Sequence, residues 1–245
     1  MSHDYDLPPS VEFHLLGPID FEECLTLQRR LVFEASGRAD GRIDVLLCQH
    51  DGLITVGRRG SRLHIRLTDE EMRRRRLRVQ WVSRGGGCIL HAEGQVAVYP
   101  IVPLAWHGWS RQDYLDRLHD GVARAIESLS VKVSRREKRS GLWGRTGQLA
   151  AFGLEVRDDI AFHGAYINVN PACREVGYVD TACAHGPERG RAAAMSSLLA
   201  EGRRPARMTS LRAALIEHLP AAFGLKRYHL HSGHIELHRQ RRQLA

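Results

Sequence analysis

The sequence predicts an α+β (mixed α/β) domain in which a mixed sheet is flanked by helices. Three observations carry this. Short β-rich apolar runs recur at Ile43 to Cys48, Leu53 to Val56, Gln148 to Val156 and Ile160 to Asn168. Longer stretches repeat apolar residues every three or four positions, the period of a helix packed on one face. The two kinds of signal are interleaved along the chain, as expected when helices cover a sheet. At 245 residues, one domain can bury a sizeable core.

The elements follow in order. Asp20 with Glu23 marks a helix N-terminus, and Phe21, Cys24, Leu25, Leu31 and Val32 form its buried stripe, so a helix should run to about Ala35. Thr68-Asp69-Glu70-Glu71 reads as a capping box, and Arg73 to Arg76 should radiate around the helix it starts. A strand from Val79 to Ser83 leads into Gly85-Gly86-Gly87, and the apolar residues after Gln95 form another. Ser110 opens an amphipathic helix through Leu115, Leu118, Val122, Ile126 and Leu129, and a last helix spans about Met208 to Phe223. Residues 1–225 are read as one domain and 226–245 as a basic His/Arg-rich tail. His229, His231, His234 and His238 are irregularly spaced and lack neighbouring carboxylate or cysteine partners, which reads as a solvated tail and not a metal site.

The net charge of +8 calls for an acidic partner, but the excess lies in short arginine groups that suit solvated faces. No zinc-finger spacing or aromatic-basic motif accompanies it, which argues against nucleic acid. Five cysteines without a CxxC pair argue against a disulfide framework or a structural zinc, so reduced thiols and no metal or cofactor are expected. The chain starts without a signal-like segment, and no stretch reaches the roughly 18 apolar residues of a membrane span. A cytoplasmic protein that does not enter membranes is the expectation.

The densest chemical signal is Arg84-Gly85-Gly86-Gly87-Cys88-Ile89-Leu90-His91-Ala92-Glu93-Gly94-Gln95. It sets a fixed charge, a backbone free of side chains and an imidazole within a dozen residues, as an acyl-binding wall needs. A glycine triplet alone also fits a tight turn or bulge. With the Tyr99-Pro100 strand that follows, the run resembles the signature of the lipoate-pathway octanoyltransferases, relatives of the biotin and lipoate protein ligases. Gln49-His50-Asp51 to Gly57-Arg58-Arg59-Gly60 is similar to that family's early strand and glycine-arginine turn. Leu142-Trp143 to Gly153, and His163-Gly164 to Asn168-Val169-Asn170, are similar to its central hairpin. The resemblance covers roughly residues 10 to 200 and is more specific than any single motif.

The resemblance implies the mixed sheet of the biotin/lipoate protein ligase fold. It also implies transfer of an octanoyl chain from acyl carrier protein, through a cysteine thioester, to a lysine of an apo lipoyl domain. Such domains belong to 2-oxoacid dehydrogenase complexes or to the glycine cleavage H protein. Cys183 matches the nucleophile, Cys173 falls too early, and His91, Gly94, Gln95, Gly153, His163, Gly164 and Asn168 match the acyl pocket. Arg84 either holds the glycine loop or meets the pantetheine arm. One departure stands out: Gln148 occupies the position of the family's catalytic lysine, and a neutral amide cannot act as a base. His-Gly-Pro-Gly and Pro-Cys-Gly of the family also become His91-Ala92-Glu93-Gly94 and Ala182-Cys183-Ala184. Three readings follow: a divergent octanoyltransferase in which His185 replaces the lysine, a catalytically silent relative that binds acyl chain, carrier protein or lipoyl domain, and a lipoate protein ligase-like enzyme.

Overall fold

The structure, a computed structural model, describes residues 8–136, 139–172, 175, 177–180, 195–202 and 206–237. Strand β1 (Ser10–Pro18) leads to helix α1 (Phe21–Ser36), which starts where the Asp20 carboxylate accepts from the backbone N–H groups of Glu22 and Glu23. Next come β2 (Ile43–Gln49), β3 (Leu53–Val56), a 3-10 turn at Arg62–His64, α2 (Asp69–Arg74), β4 (Arg78–Trp81), β5 (Cys88–His91) and β6 (Gln95–Pro103). Then follow α3 (Leu104–His107), α4 (Arg111–Glu127), β7 (Ser134–Arg136), β8 (Arg139–Trp143), β9 (Gln148–Arg157) and β10 (Ile160–Asn168). Helices α5 (Leu198–Glu201) and α6 (Met208–Ala222) precede a last strand, β11 (Arg227–Ser232).

Eight strands form one mixed sheet in the order β11-β1-β2-β6-β10-β9-β8-β7, parallel from β11 to β2 and antiparallel beyond. A three-stranded sheet, β4-β3-β5, stands beside it. Strands β2 and β6 are apolar at successive positions because both of their faces are covered. Val45, Leu47, Val96 and Val98 pack with Leu118 and Val122 of α4 and Leu211 and Leu215 of α6. Leu46, Cys48, Ala97 and Tyr99 face the other way, against Cys24, Leu27 and Leu31 of α1. The small sheet has its own core of Ile54, Val56, Cys88 and Leu90, closed by Met72. Among the described residues no helix is long and apolar enough to cross a membrane.

Three segments depart from the sequence expectations. The Thr68 capping box forms, but α2 lasts only six residues. Arg75 caps its end and Arg76 turns into the left-handed region at φ 54°, so the arginines do not radiate around one helix. Strand β1 escapes sequence detection because the polar Glu12 and His14 alternate with Val11 and Phe13 inside a buried strand. The segment read as a solvated tail supplies β11, parallel to β1 at the sheet edge. There His229 Nδ1 and His231 Nε2 lie 2.8 and 2.7 Å from the Glu12 carboxylate, a partner remote in sequence. Burial alone would raise the Glu12 carboxyl, but hydrogen bonds from His231, Ser10 and His229 hold it below the ordinary value.

The tightest strand contact lies where β10 crosses β6. A methyl group on Gly164 would run into the Val98 carbonyl oxygen and lie 2.8 Å from Pro100 Cδ. Gly164→Ala should therefore destabilise the fold by about 2 kcal/mol or more. Gly17→Ala, at φ 68° with nothing within 4 Å, should cost only about 1 kcal/mol of backbone strain. Denaturant unfolding of both variants checks the order, and equal losses would contradict it.

Candidate active site

The glycine loop between β4 and β5 is held by a buried cation. Arg84 is fully buried, and its guanidinium donates to Gly85 O at 3.0 Å, Gly87 O at 3.1 Å, Thr55 O at 3.1 Å and Thr55 Oγ1 at 2.7 Å. The loop is also stitched to the turn after β3 by Gly57 N to Gly87 O, Arg58 N to Arg84 O and Arg59 N to Gly86 O, and to β9 by Gly85 N to Leu154 O. Of the two roles open to Arg84 in the sequence, the geometry selects the first: it holds the loop. Thr55 had no sequence signal, since a threonine in a short strand is unremarkable; it matters because it accepts from Arg84 and also contacts His91 Nε2 at 2.9 Å.

His91 closes β5 among the rings of Phe21, His50 and Tyr166. Burial, then His50, Arg84 and His163, push its pKa well below the ordinary histidine value, so the ring is neutral. Beyond it the Gln95 amide accepts from Ala92 N at 3.0 Å and donates to Asn168 Oδ1 at 2.7 Å. Asn168 in turn donates to Ser196 O at 2.9 Å, and Ser196 N donates to Gln148 O at 2.9 Å. This relay crosses from β6 through β10 to the first turn before α5 and back to β9. Gly94 is required beside it: φ is 85°, and any side chain would meet the Asn170–Pro171 backbone.

Gln148 is completely buried, and its amide donates to Ser140 O at 3.1 Å and Ala150 O at 3.3 Å. The socket is made of carbonyl acceptors, and Gly141 opposite leaves the room for it. Gly153, five residues along β9, abuts Gly85 O and the Arg84 side chain, so the glycine loop and β9 form one wall. His163 lies on the next strand, paired with Leu154 of β9. The residue sits on β10 in the left-handed region at φ 60°, its N–H donating to Gln28 Oε1 and its ring stacked on Phe162. Burial, then Arg84, Arg29 and Arg58, lower its pKa to about 3. Cys183, His185 and Cys173 lie outside the described residues, while the described residues on either side of that stretch are anchored: Val179 bridges Ile65 and Met195 bridges Gln148.

Two openings border the wall. An apolar crevice lined by Ile89, Leu90, Ala151, Tyr166, Val179 and Met195, with Gln95 and Asn168 in its lining, has a volume of about 10 Å³, room for about one water. On the outer side a cleft of about 610 Å³ has Gly85, Gly86, Phe152 and Gly153 at its base and Arg58, Arg59, Arg111, Arg135 and Arg136 around it. Arg135 is already paired with Asp116 and Asp120, and Arg136 lies over the Trp143 ring. A larger cleft, about 1010 Å³, opens beyond Gly94 and carries both signs of charge: Asp51 and Glu93 with Arg74 and Arg75.

His119, which stacks on Phe152 in the cleft, is lowered to about 4 by burial. It thus resembles His91 and His163: each is neutral when folded and must gain a proton on acid unfolding. A depressed histidine pKa means stability fully present above about 6.5 and lost as pH falls toward the folded value, at up to about 1.4 kcal/mol per unit for each group. Melting temperature should accordingly fall between pH 6.5 and 4. His119→Phe, which keeps a ring on Phe152, should shallow that slope; an unchanged slope would contradict the role of His119.

The model of the lipoyl protein ligase A/B catalytic domain matches residues 20–220. An octanoyltransferase of Roseiflexus sp. is 32% identical over 86% of both chains, and one of Syntrophobacter fumaroxidans is 33% identical over 71% of this chain and 75% of that protein. An octanoyltransferase of Porphyromonas gingivalis is 31% identical over 67% of this chain, which spans only 37% of that protein. The fold is shared with a structure from the archaeal lipoylation system of Thermoplasma acidophilum, described as a bipartite lipoate protein ligase and its E2 lipoyl domain (TM-score 0.70, 11% identity, 96% of this chain and 92% of that one). It is likewise shared with a lipoate-protein ligase A bound with ATP (TM-score 0.70, 11% identity, 97% and 94%). The mixed sheet is thus the one the sequence resemblance implied, and the chain belongs to the lipoyl protein ligase A/B catalytic-domain family.

Proposed function

We propose that this chain is an acyltransferase of lipoate biosynthesis that takes octanoyl from acyl carrier protein and delivers it to the lysine of an apo lipoyl domain, of a 2-oxoacid dehydrogenase complex or a glycine cleavage H protein. Cytoplasmic action follows from those partners. The observation that carries the reading is the relay Gln95–Asn168–Ser196–Gln148, which ties the glycine-loop wall to the residues that follow Cys183 in the chain. In the first step the Cys183 thiolate attacks the carrier thioester and the pantetheine thiolate leaves, taking up a proton. In the second the lysine amine attacks the Cys183 thioester, an amide forms, and the amine proton passes to a base as the cysteine leaves. His185 is the candidate base, since an imidazole titrating near neutrality can serve it. The arginine-rimmed cleft over Gly85 and Gly86 suits the phosphodiester of a carrier arm and the acidic protein that bears it. Entry of an acyl chain into the apolar crevice requires its Val179 and Met195 wall to move outward.

A second reading, a silent relative that binds without turnover, is favoured by one observation: the amide at the lysine position is buried and committed to Ser140 and Ala150 carbonyls. A lysine in that socket would find the same two acceptors, which makes the substitution a usable test. Incubation with octanoyl-acyl carrier protein should give a hydroxylamine-labile mass adduct on Cys183, absent in Cys183→Ala; an adduct on Cys88 or Cys173 would overturn the nucleophile. If Gln148 limits the rate and no other residue has taken over as base, Gln148→Lys should speed transfer to a lipoyl domain at least tenfold, general-base help being worth about 10²- to 10⁴-fold. Full wild-type activity that is lost in His185→Ala and unmoved by Gln148→Lys places the base at His185. Binding of the carrier without turnover by wild type and Gln148→Lys alike would support the silent relative.

A further inference from the structure

Behind His91, on the α1 side of the sheet, three side chains from two separate segments, unused by the acyl chemistry, converge. Cys24 of α1, Cys48 of β2 and His50 just after it are all buried, and their Sγ and Nε2 atoms lie within 4.8 Å of one another. Cys24 Sγ is 3.9 Å from Cys48 Sγ, and Cys48 Sγ is 3.6 Å from His50 Nε2. Zinc bond lengths of about 2.3 Å to sulfur and 2.0–2.1 Å to nitrogen, at tetrahedral angles, demand ligand separations of about 3.8 and about 3.6 Å. The Cys24–Cys48 and Cys48–His50 pairs already have these spacings, and Cys24 Sγ lies within 4.8 Å of His50 Nε2.

The imidazole is oriented for the task. His50 Nδ1 lies 2.9 Å from the Ile19 carbonyl oxygen, which can only accept, so Nδ1 carries the ring proton and Nε2 accepts from the Tyr99 hydroxyl, a bond that an ion would replace, with Cys48 Sγ beside it. A carbonyl behind the free nitrogen is the arrangement that fixes metal-bound histidines. The Tyr99 hydroxyl, 2.7 Å from Nε2, is an adjacent oxygen for a fourth position. Charge favours one class of ion: two thiolates and a neutral imidazole cancel a divalent cation, and soft sulfur donors select zinc over calcium or magnesium. Without an ion the Cys48 thiol stays protonated, since burial, then Cys24, pushes it well above its ordinary value.

We propose that Cys24, Cys48 and His50 form a zinc site that pins α1 to the end of β2 behind the glycine loop, each thiol releasing its proton to solvent as the ion binds. The expectation of a metal-free chain, drawn from the missing CxxC, looked only at neighbours in sequence. The site adds a structural ion to the acyl chemistry and does not depend on it. His50 and His91 rings are 5.5 Å apart and both touch Phe21, so an ion there would stiffen the wall from behind.

The test uses full-length protein carrying Cys173→Ser and Cys183→Ser, reduced anaerobically and stripped with chelator, then titrated with cobalt(II). Thiolate-to-cobalt charge transfer and tetrahedral d–d bands should appear and saturate at one ion per chain. Zinc should displace the cobalt and raise the melting temperature. Cys24→Ser or Cys48→Ser should abolish the thiolate bands, and His50→Asn should weaken binding at least tenfold. If these variants do not fold, X-ray absorption of the zinc-loaded parent decides the matter: two sulfur neighbours near about 2.3 Å support the site, and an all-nitrogen or oxygen shell overturns it. The proposal also fails if folded, thiol-reduced protein shows no thiolate bands, if the bands survive Cys48→Ser, or if Cys24 and Cys48 are found joined as a disulfide instead.

Discussion

A guanidinium buried inside a glycine loop is the constraint on which the rest of the site depends. Sealing Arg84 from water costs several kcal/mol, and four hydrogen bonds to the oxygens of Gly85, Gly87 and Thr55 offset it, each charge-assisted bond contributing about 1.5–3 kcal/mol. Two of the acceptors are carbonyls of the loop itself, so the glycines cannot relax without stranding the cation. The same Thr55 hydroxyl reaches His91, and Gly153 of β9 fits against Gly85, so one cation sets the loop, the histidine and the facing strand together. An acyl-binding wall must be rigid before the substrate arrives, because a misplaced carbonyl forfeits much of the gain from proximity.

The relay from Gln95 to Ser196 extends this order toward the stretch that carries Cys183. Each amide in it both accepts and donates, so Gln95 orients Asn168 and Asn168 is held to Ser196. Gln148 enters twice, through its main chain to Ser196 and through its side chain to Ser140 and Ala150. Gln148, which the resemblance sets at the family's lysine position, is therefore built into the scaffold, and the carbonyl acceptors around it would serve a lysine as well.

The fold was largely legible because caps and buried runs are local signals: Asp20, Thr68 and Ser110 start α1, α2 and α4 as read. What escaped was set by partners distant in the chain. Strand β1 looks too polar until Glu12 meets His229 and His231, and those histidines look like a solvated tail until β1 supplies the carboxylate. In the site, His91, Gln95 and Asn168 lie close to the wall by contacts their spacing does not display, and the left-handed backbone of His163 in β10 is announced by no local pattern. Thr55 was invisible for the same reason: its importance lies in two side chains that approach from 29 and 36 residues away.

The proposed function makes the glycine loop and β9 the face that receives the acyl carrier. Backbone hydrogen exchange of the wild-type chain, with and without octanoyl-acyl carrier protein, tests it most directly. Added protection is expected at residues 85–87 and 152–154, centred on the arginine-rimmed cleft. Protection confined to the opposite cleft around Asp51, Arg75 and Tyr178, with the glycine loop exchanging as in the free protein, would contradict it.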